Sequence, residues 1–420
     1  MLEILTCLRD LLWGNGLLLL LLGTGVFCLF AGRCSAFRSV RLLFQKPETS
    51  EKKHGMSAFQ ACTASLAAAM GTGNIAGVAT ALTLGGAGAV FWMWAAALVG
   101  MALIYAENLL GCRCRTRGIC GAMAYLRTGS PTLAAAFALC CVLASFGMGN
   151  MTQTNTMSQT LHAAFAMPEA LSGILAAGLA AAVLLGGTKR IGQFTQAVIP
   201  LLSAVYLLAA LWVIVSHREH LGTAFSAIFR DAFGLSEVGG GISGAAVSVG
   251  IRRGVFSNEA GLGSSSVLHG DADGTPEQLG VYGMCEVFLD TFLCCTVTAL
   301  AVLCTGVLDS GADGGALVLE AFRCGMGRAA DYFLPPVIAL FALCTLIGWG
   351  YCGGTAFSYL TGGRYVKAFR LLFCFAAFLG AVMELEVVWT LADIANAGMA
   401  YCNLPALLVL YPQAVRKKEA

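Results

Sequence analysis

Two short stretches of this chain carry polar groups inside runs that are otherwise small and apolar. GTGN, Gly71 to Asn74, lies in the middle of a run from Ser57 to Leu84. As one helix that run would measure roughly 42 Å, more than the ~30 Å hydrocarbon core of a bilayer requires. The second stretch is GIRRGVFSNEAGLGSSS, where Arg252, Arg253, Asn258 and Glu259 stand among Gly254, Gly261 and Gly263. The chemistry such residues offer is recognition. Glycine tolerates the torsions of an interrupted helix. An interruption frees backbone N–H groups at one half-helix N-terminus, suited to a carboxylate, and carbonyls at the other's C-terminus, suited to Na⁺. Thr72 and Asn74 add side-chain oxygens or donors at the same level. Charged residues at membrane depth are costly and tend to face a cavity or a partner, which bears on Arg252, Arg253 and Glu259. Glycines such as Gly85, Gly86 and Gly100 read instead as close-packing positions.

Bond-making chemistry has little support. An intramembrane enzyme needs a nucleophile–base pair or a set of metal ligands. His54, His162, His217, His220 and His269 fall near span ends, and none shows a clustered Asp or Glu partner in the sequence. The chain is therefore not expected to be an enzyme, and no cofactor is expected. A non-transporting sensor stays open at this stage. Cysteine is frequent, at 18 residues, but sits within apolar blocks such as Cys140–Cys141 and Cys294–Cys295, as a small packing residue does.

The elements that must position the two stretches follow from composition. Of 420 residues, 58% are hydrophobic and 11% charged, in long apolar blocks separated by short polar ones. That is the pattern of an all-α polytopic membrane protein embedded in a lipid bilayer. With 25 basic and 23 acidic residues, nothing neutralises phosphates, and a nucleic-acid partner is excluded. Eleven spans can be drawn, at about 11–31, 57–84, 88–110, 131–163, 170–187, 194–216, 241–267, 279–308, 333–351, 366–383 and 388–411. The first reads as a retained helix, since no basic start or small-residue cleavage site precedes it. Eighteen basic residues fall in the loops of one side and five on the other. Basic residues mark the cytoplasm, so the N-terminus is expected outside and the C-terminus inside. Arg33–Gln45 and Glu219–Phe233 have the character of interfacial amphipathic segments or of plain connectors.

The breaks fall in spans 2 and 7, five apart. Setting span 1 aside, each half of the chain opens with a broken helix, and because five is odd the halves enter the membrane from opposite faces. An inverted repeat with paired interrupted helices points to a transporter's midplane site. The expected organisation is residues 1–56 as an accessory helix with a basic amphipathic segment, 57–216 as the first repeat, 217–240 as an extracellular interfacial segment, 241–412 as the second repeat and 413–420 as a basic tail.

The block FQACTASLAAAMGTGNIAGVATALTLGG, continued to Leu110, resembles the signature region of the alanine/glycine:cation symporters. RRGVFSNEAGLGSSSVLH resembles that family's second signature, and GMGNMTQTNTMSQ, EVFLDTF, FALCTLIGWGYCG and LADIANAGMAYCNLPAL are also similar. The resemblance covers spans 2 to 11. It implies a leucine-transporter-like fold, a 5+5 inverted repeat preceded here by one extra helix. It also implies sodium-coupled (in some members proton-coupled) uptake of a small neutral amino acid, alanine or glycine, across the bacterial cytoplasmic membrane. On the matching positions, Thr72, Gly73 and Asn74 would lie beside the substrate's carboxylate and amino group, and Gln153 would face it. Phe256, Asn258 and Trp349 would form the wall and polar edge of the pocket. The cation site would use the carbonyls of Ala67 and Met70 with Cys344 and Thr345. Hard cations want oxygen ligands, and relatives commonly show Ser-Thr where this chain has Cys344-Thr345. Ala87 and the stretch CGAMAYL, 120–126, are further departures away from the substrate. Arg253 and Glu259 are read as a pair across the break, Glu259 otherwise as a helix cap or proton carrier. Asp290 and Asp393 are further buried-carboxylate candidates, read first as polar packing.

Overall fold

The computed structural model describes residues 2–32, 37, 39–44, 55–116, 118–234, 244–383 and 386–419. Among these the regular structure is helical throughout, with no strand. α1 (Leu2–Leu12) and α2 (Asn15–Ala31) precede the first broken segment, which comprises α3 (Ala58–Ala69), a 3₁₀ turn at Thr72–Asn74 and α4 (Ala76–Gly85). α5 (Gly88–Arg113) follows, then a short α6 (Ala122–Gly129). α7 (Pro131–Phe146) continues through a π-helical turn, Gly147–Met151, into α8 (Thr152–Phe165). α9 (Glu169–Leu184), α10 (Gly187–Ser216) and α11 (Leu221–Ala232) lead to the second broken segment, α12 (Gly244–Asn258) and α13 (Ser264–His269). α14 (Pro276–Val287), a second π-helical turn at Phe288–Cys295 and α15 (Thr296–Thr305) form one long run. α16 (Gly314–Met326), α17 (Ala329–Thr361), α18 (Val366–Val382) and α19 (Glu386–Glu419) complete the chain.

Helices lie at all eleven expected spans. Seven runs are long and apolar enough to cross a membrane unaided. The first broken crossing falls short because its break leaves pieces of 12 and 10 residues. Four helices lie outside the expected spans. α1 begins well before residue 11, and α6 and α16 occupy stretches read as loops. α11 fills the Glu219–Phe233 segment, where Phe91, Phe229 and Phe233 cluster and the Trp92 indole N–H donates to the Ala232 carbonyl. In the other proposed interfacial segment, Ser39–Phe44 is a 3₁₀ helix, and most of the remainder lies outside the described residues. α16 was invisible to a search for apolar runs because only one of its faces, Leu317, Val318, Ala321 and Phe322, is buried.

Local chemistry sets the helix starts. Ser57 and Gln60 exchange side-chain and backbone hydrogen bonds at the head of α3, and Thr275 and Gln278 do the same at α14; each pair satisfies donors that a helix N-terminus leaves open. α5 packs against α2, α12, α13 and α14, and so backs the whole second broken segment. α17 packs against α3, α7 and α8. Small residues make these approaches possible: a Cβ on Gly348 would fall 2.7 Å from the Ala68 nitrogen, and one on Gly250 2.4 Å from the Ala89 oxygen. Leu201, Leu208, Trp212, Leu371, Leu372 and Phe375 face outward, as expected of a chain whose backbone is satisfied within its helices and whose solvent is lipid.

Gly348→Val should therefore push α17 off α3 and lower stability by about 1–3 kcal/mol or more, the range for overpacking. Gly178→Val in α9, where an added Cβ meets nothing within 4 Å, should leave the melting temperature in detergent nearly unchanged. Equal melting temperatures for both variants would show that the α3–α17 approach is not tight.

Candidate functional site

The first break begins where α3 ends. In an unbroken helix the Gly71 N–H would bond to the Ala67 carbonyl; here it donates to the Ala69 carbonyl at 2.9 Å, which leaves the Ala67 oxygen without its i+4 donor. Gly71 sits against α17 and α8: a Cβ there would lie 2.5 Å from Thr345 Oγ1 and 3.1 Å from Gln153 Oε1. Thr345 Oγ1 is buried and has no hydrogen-bond partner among the described residues. Cys344, fully buried, packs in the same apolar cluster as Ala67 and Met70. A freed carbonyl and an orphaned hydroxyl are oxygen donors of the kind Na⁺ takes, and they fit a cation between α3 and α17. The Cys344 sulfur adds no oxygen.

The second break, residues 259–263, is shaped by three left-handed residues, Glu259 (φ 56°), Gly261 (φ 89°) and Gly263 (φ 77°). A non-glycine residue there is strained, and Glu259 is held by its side chain. Its carboxylate accepts from the Trp349 indole N–H at 2.8 Å and the Ser264 hydroxyl at 2.6 Å. Glu259 thus pairs with Trp349 and Ser264 rather than with Arg253. Glu107 of α5 accepts from the Gly263 N–H (3.2 Å) and from Asn403 Nδ2 (2.7 Å), while the same Asn403 nitrogen donates to the Gly261 carbonyl (2.9 Å). The Tyr125 hydroxyl donates to Asn403 Oδ1. α5 and α19 between them therefore suspend the glycine segment.

Asp290, on the second π turn, joins the two breaks. Its carboxylate accepts from Asn74 Nδ2 (2.6 Å), Ser257 Oγ (2.7 Å) and Thr291 Oγ1 (2.9 Å). Glu286 lies four residues before Asp290 on the same run; its Oε1 is 3.0 Å from His269 Nε2, both buried, and Ser265 Oγ donates to the other Glu286 oxygen at 3.1 Å. This corrects the expectation that no histidine has an acidic partner: α13 and α14 bring the two side chains together across a loop. The described residues hold no group of three or more His, Cys, Asp or Glu arranged for a metal ion.

A cavity of about 440 Å³ opens over the first break. Thr72, Gly73 and Phe256 line it, together with Ala76 and Gly77 in the first turn of α4. A helix N-terminus with its free N–H groups and positive dipole end thus faces the space. A Cβ on Gly73 would meet only Phe256 Cδ1, at 3.9 Å. Gln153 lies beside this floor, accepting from the Thr72 hydroxyl at 3.0 Å and donating to the Met148 carbonyl at 3.1 Å. Asn74, Asn258 and Trp349 are committed elsewhere. Asn74 bonds Asp290, Asn258 bonds Thr291 and the Ala260 N–H, and Trp349 is fully buried on Glu259. Of the seven positions expected around the substrate, three line the open space and the others form its supporting shell. Ser257, Thr291, Glu107, Glu286 and Asn403 were not singled out from sequence. Glu107 and Glu286 carried a readable signal, a carboxylate within an apolar span.

The chain matches the sodium:alanine symporter family across residues 1–420. It belongs to that family. Among curated relatives, the sodium/alanine symporter AgcS of Methanococcus maripaludis is 36% identical, over 100% of this chain and 96% of its own. The amino-acid carrier protein AlsT of Bacillus subtilis is 33% identical over 96% and 88%. A Bacillus subtilis protein described as "Probable sodium/glutamine symporter GlnT" is 33% identical over 96% and 87%. Among solved structures, MhsT in complex with L-phenylalanine matches with a TM-score of 0.57 at 14% identity, over 89% of this chain and 99% of that one. A manganese transporter of Eremococcus coleocola matches with a TM-score of 0.54 at 15% identity, over 87% and 79%. The fold is leucine-transporter-like, as the resemblance implied, and this member of the sodium:alanine symporter family is a multi-span membrane protein.

The Asp290 cluster carries a stability prediction. Asp290→Ala removes the carboxylate that three buried donors share. It leaves Asn74 only the Asp290 main-chain carbonyl and the weakly accepting Cys295 sulfur, and Ser257 only that sulfur. At about 1–3 kcal/mol for a donor left unsatisfied, it should lower the melting temperature in detergent more than Ser257→Ala, which removes only one of the donors. Equal melting temperatures for the two variants would show that the carboxylate does not tie the breaks together.

Proposed function

We propose that the protein is a secondary active transporter that carries alanine or glycine into the cell together with Na⁺, by alternating access. The observation that supports this most directly is the cavity ending on Gly73, Thr72 and the N-terminal turn of α4, with the orphaned Thr345 hydroxyl one residue away at Gly71. In this reading the substrate's carboxylate lies on the α4 N-terminus, where backbone N–H groups and the helix dipole favour negative charge. Thr72 supplies a hydroxyl beside it, and Gln153 fixes that hydroxyl. Na⁺ lies between the Ala67 and Met70 carbonyls and Thr345, with Cys344 beside it, and stabilises the partly unwound segment on which the substrate rests. Asn74, Asn258 and Trp349 hold that segment and the second break in place.

Phe256 bounds the side-chain end of the pocket, which favours a methyl group or a hydrogen. A separate cavity of about 260 Å³, lined by Arg115, Asp271, Tyr351 and Arg370, is the exit expected to open when the outer one closes. The basic loops favour a cytoplasmic position for this end, with the N-terminus outside, in a bacterial cytoplasmic membrane. The repeats span residues 57–216 and 241–412, the first three residues of the latter lying outside the described structure.

In proteoliposomes an inward Na⁺ gradient should drive accumulation of labelled alanine, and a pH gradient alone should not; equal accumulation on a pH gradient without Na⁺ would overturn sodium coupling. Gly73→Val should abolish alanine binding while melting normally, because the added side chain enters the cavity and not the packing. Normal alanine binding by that variant would remove Gly73 from the site. Cys344→Ser, which replaces a soft sulfur by an oxygen, should lower the Na⁺ concentration for half-maximal uptake. An unchanged Na⁺ dependence would mean that Cys344 does not touch the ion.

A further inference from the structure

Arg252 and Arg253 have no role in the site described so far. They lie four and three residues before Phe256 on α12, hence on the same side of that helix about one turn, roughly 5 Å, further out. Both line the 440 Å³ cavity, as do Trp389 and Asp393 of α19 and Arg9, Asp10 and Trp13 at or near the elbow between α1 and α2. Trp389 and Asp393 are four apart and share a helix face. The indole N–H of Trp13 donates to the Asp393 backbone carbonyl at 2.8 Å, and the Tyr401 hydroxyl donates to the Leu12 carbonyl at 3.1 Å. The elbow is thereby fastened over the cavity mouth.

The charges there are unusually free. Arg9 is taken up by Asp10, 2.7 Å away. Neither guanidinium of the Arg252–Arg253 pair makes a hydrogen bond or an ion pair with a described residue, and Arg252 Nε is buried without a partner among them. The Asp393 carboxylate likewise has no side-chain hydrogen bond among the described residues, although it lies within electrostatic range of Arg9, Arg252 and Arg253. Partly buried charges without hydrogen bonds are costly unless a ligand supplies them. Two guanidiniums and one carboxylate that line a single cavity with two tryptophans complement a small zwitterion, its carboxylate toward the arginines and its ammonium toward Asp393.

We infer that the cavity mouth is a second, outer amino-acid site, which captures the zwitterion before it descends to Gly73. The identity of the zwitterion rests on the function proposed above; the charge pattern that binds it does not. Because the outer site lies on the route, it speeds loading without adding to equilibrium affinity at the inner site. The N-terminal helix α1 and its elbow are then part of the transport path.

The test uses full-length protein in lipid nanodiscs and in proteoliposomes. Arg253→Gln and Asp393→Asn should each raise the KM for alanine uptake fivefold or more and leave the equilibrium Kd for labelled alanine within twofold. Arg253→Lys should recover most of the loss. An unchanged KM in both variants overturns the outer site, and so does a Kd that rises in step with KM, which would place these charges at the inner site or in the fold. A second measurement does not depend on those variants folding. In Gly73→Val protein, whose inner site is filled, millimolar alanine should still change tryptophan emission in a saturable way, and Trp389→Phe in that background should remove the change. The absence of a saturable change overturns the outer site. Tight alanine binding retained by Gly73→Val would instead count against the inner site alone.

Discussion

The carboxylate of Asp290 accepts one donor from each broken helix and a third from its own turn. A buried carboxylate is tolerated only while its hydrogen bonds are complete. Asn74 and Ser257 are far apart in sequence, yet neither can move far without stranding a charge in a medium that cannot solvate it. The remaining contacts extend this arrangement. Gln153 follows Thr72, Trp349 follows Glu259, and Asn403 follows Gly261 and Glu107. A polar junction at membrane depth thus ties both broken segments to the α14–α15 run, its extensions reach α8, α17, α5 and α19, and the cavity takes its floor from that register.

Much of this arrangement was legible in the sequence. The positions of both breaks, the helical class and the placing of helices at the expected spans follow from the length of apolar runs and from glycine beside Asn or Glu, which packing alone does not require. The direction in which polar side chains point was less accessible. Asn74 and Asn258 are polar residues in breaks, and sequence cannot distinguish one that faces a cavity from one that bonds a neighbouring helix, since both need the same amide. Trp349 shows the same ambiguity. Its ring is bulky enough for a pocket wall, but the indole N–H must find an acceptor when buried, and Glu259 supplies it. Pairings between distant segments, such as His269 with Glu286 and Glu107 with Asn403, are set by tertiary packing and leave no local spacing to read. Amphipathic helices too short to cross, α6 and α16, escape a search tuned to continuous apolarity.

The division of labour among glycines is equally physical. Gly348 and Gly250 are small because another backbone lies against them, whereas Gly73 is small with open space before it. The first kind brings helices together and the second keeps a surface bare, and only the surroundings separate them. Glu259 belongs to neither kind. It takes a left-handed conformation that glycine would adopt without strain, in exchange for a carboxylate that reaches both Trp349 and Ser264.

The two π-helical turns lie where the site needs unusual side-chain directions, one carrying Asp290 and the other, Gly147–Met151, packed through Gly149 against Trp349. A π turn holds one residue more than the α-helix around it. Its return to α geometry would advance everything beyond it by one position, a screw motion of about 1.5 Å and 100°. Each turn is therefore a quantum of helical slack. It lets the part of the run beyond the turn rotate and advance while the part before it keeps its seat in the bilayer.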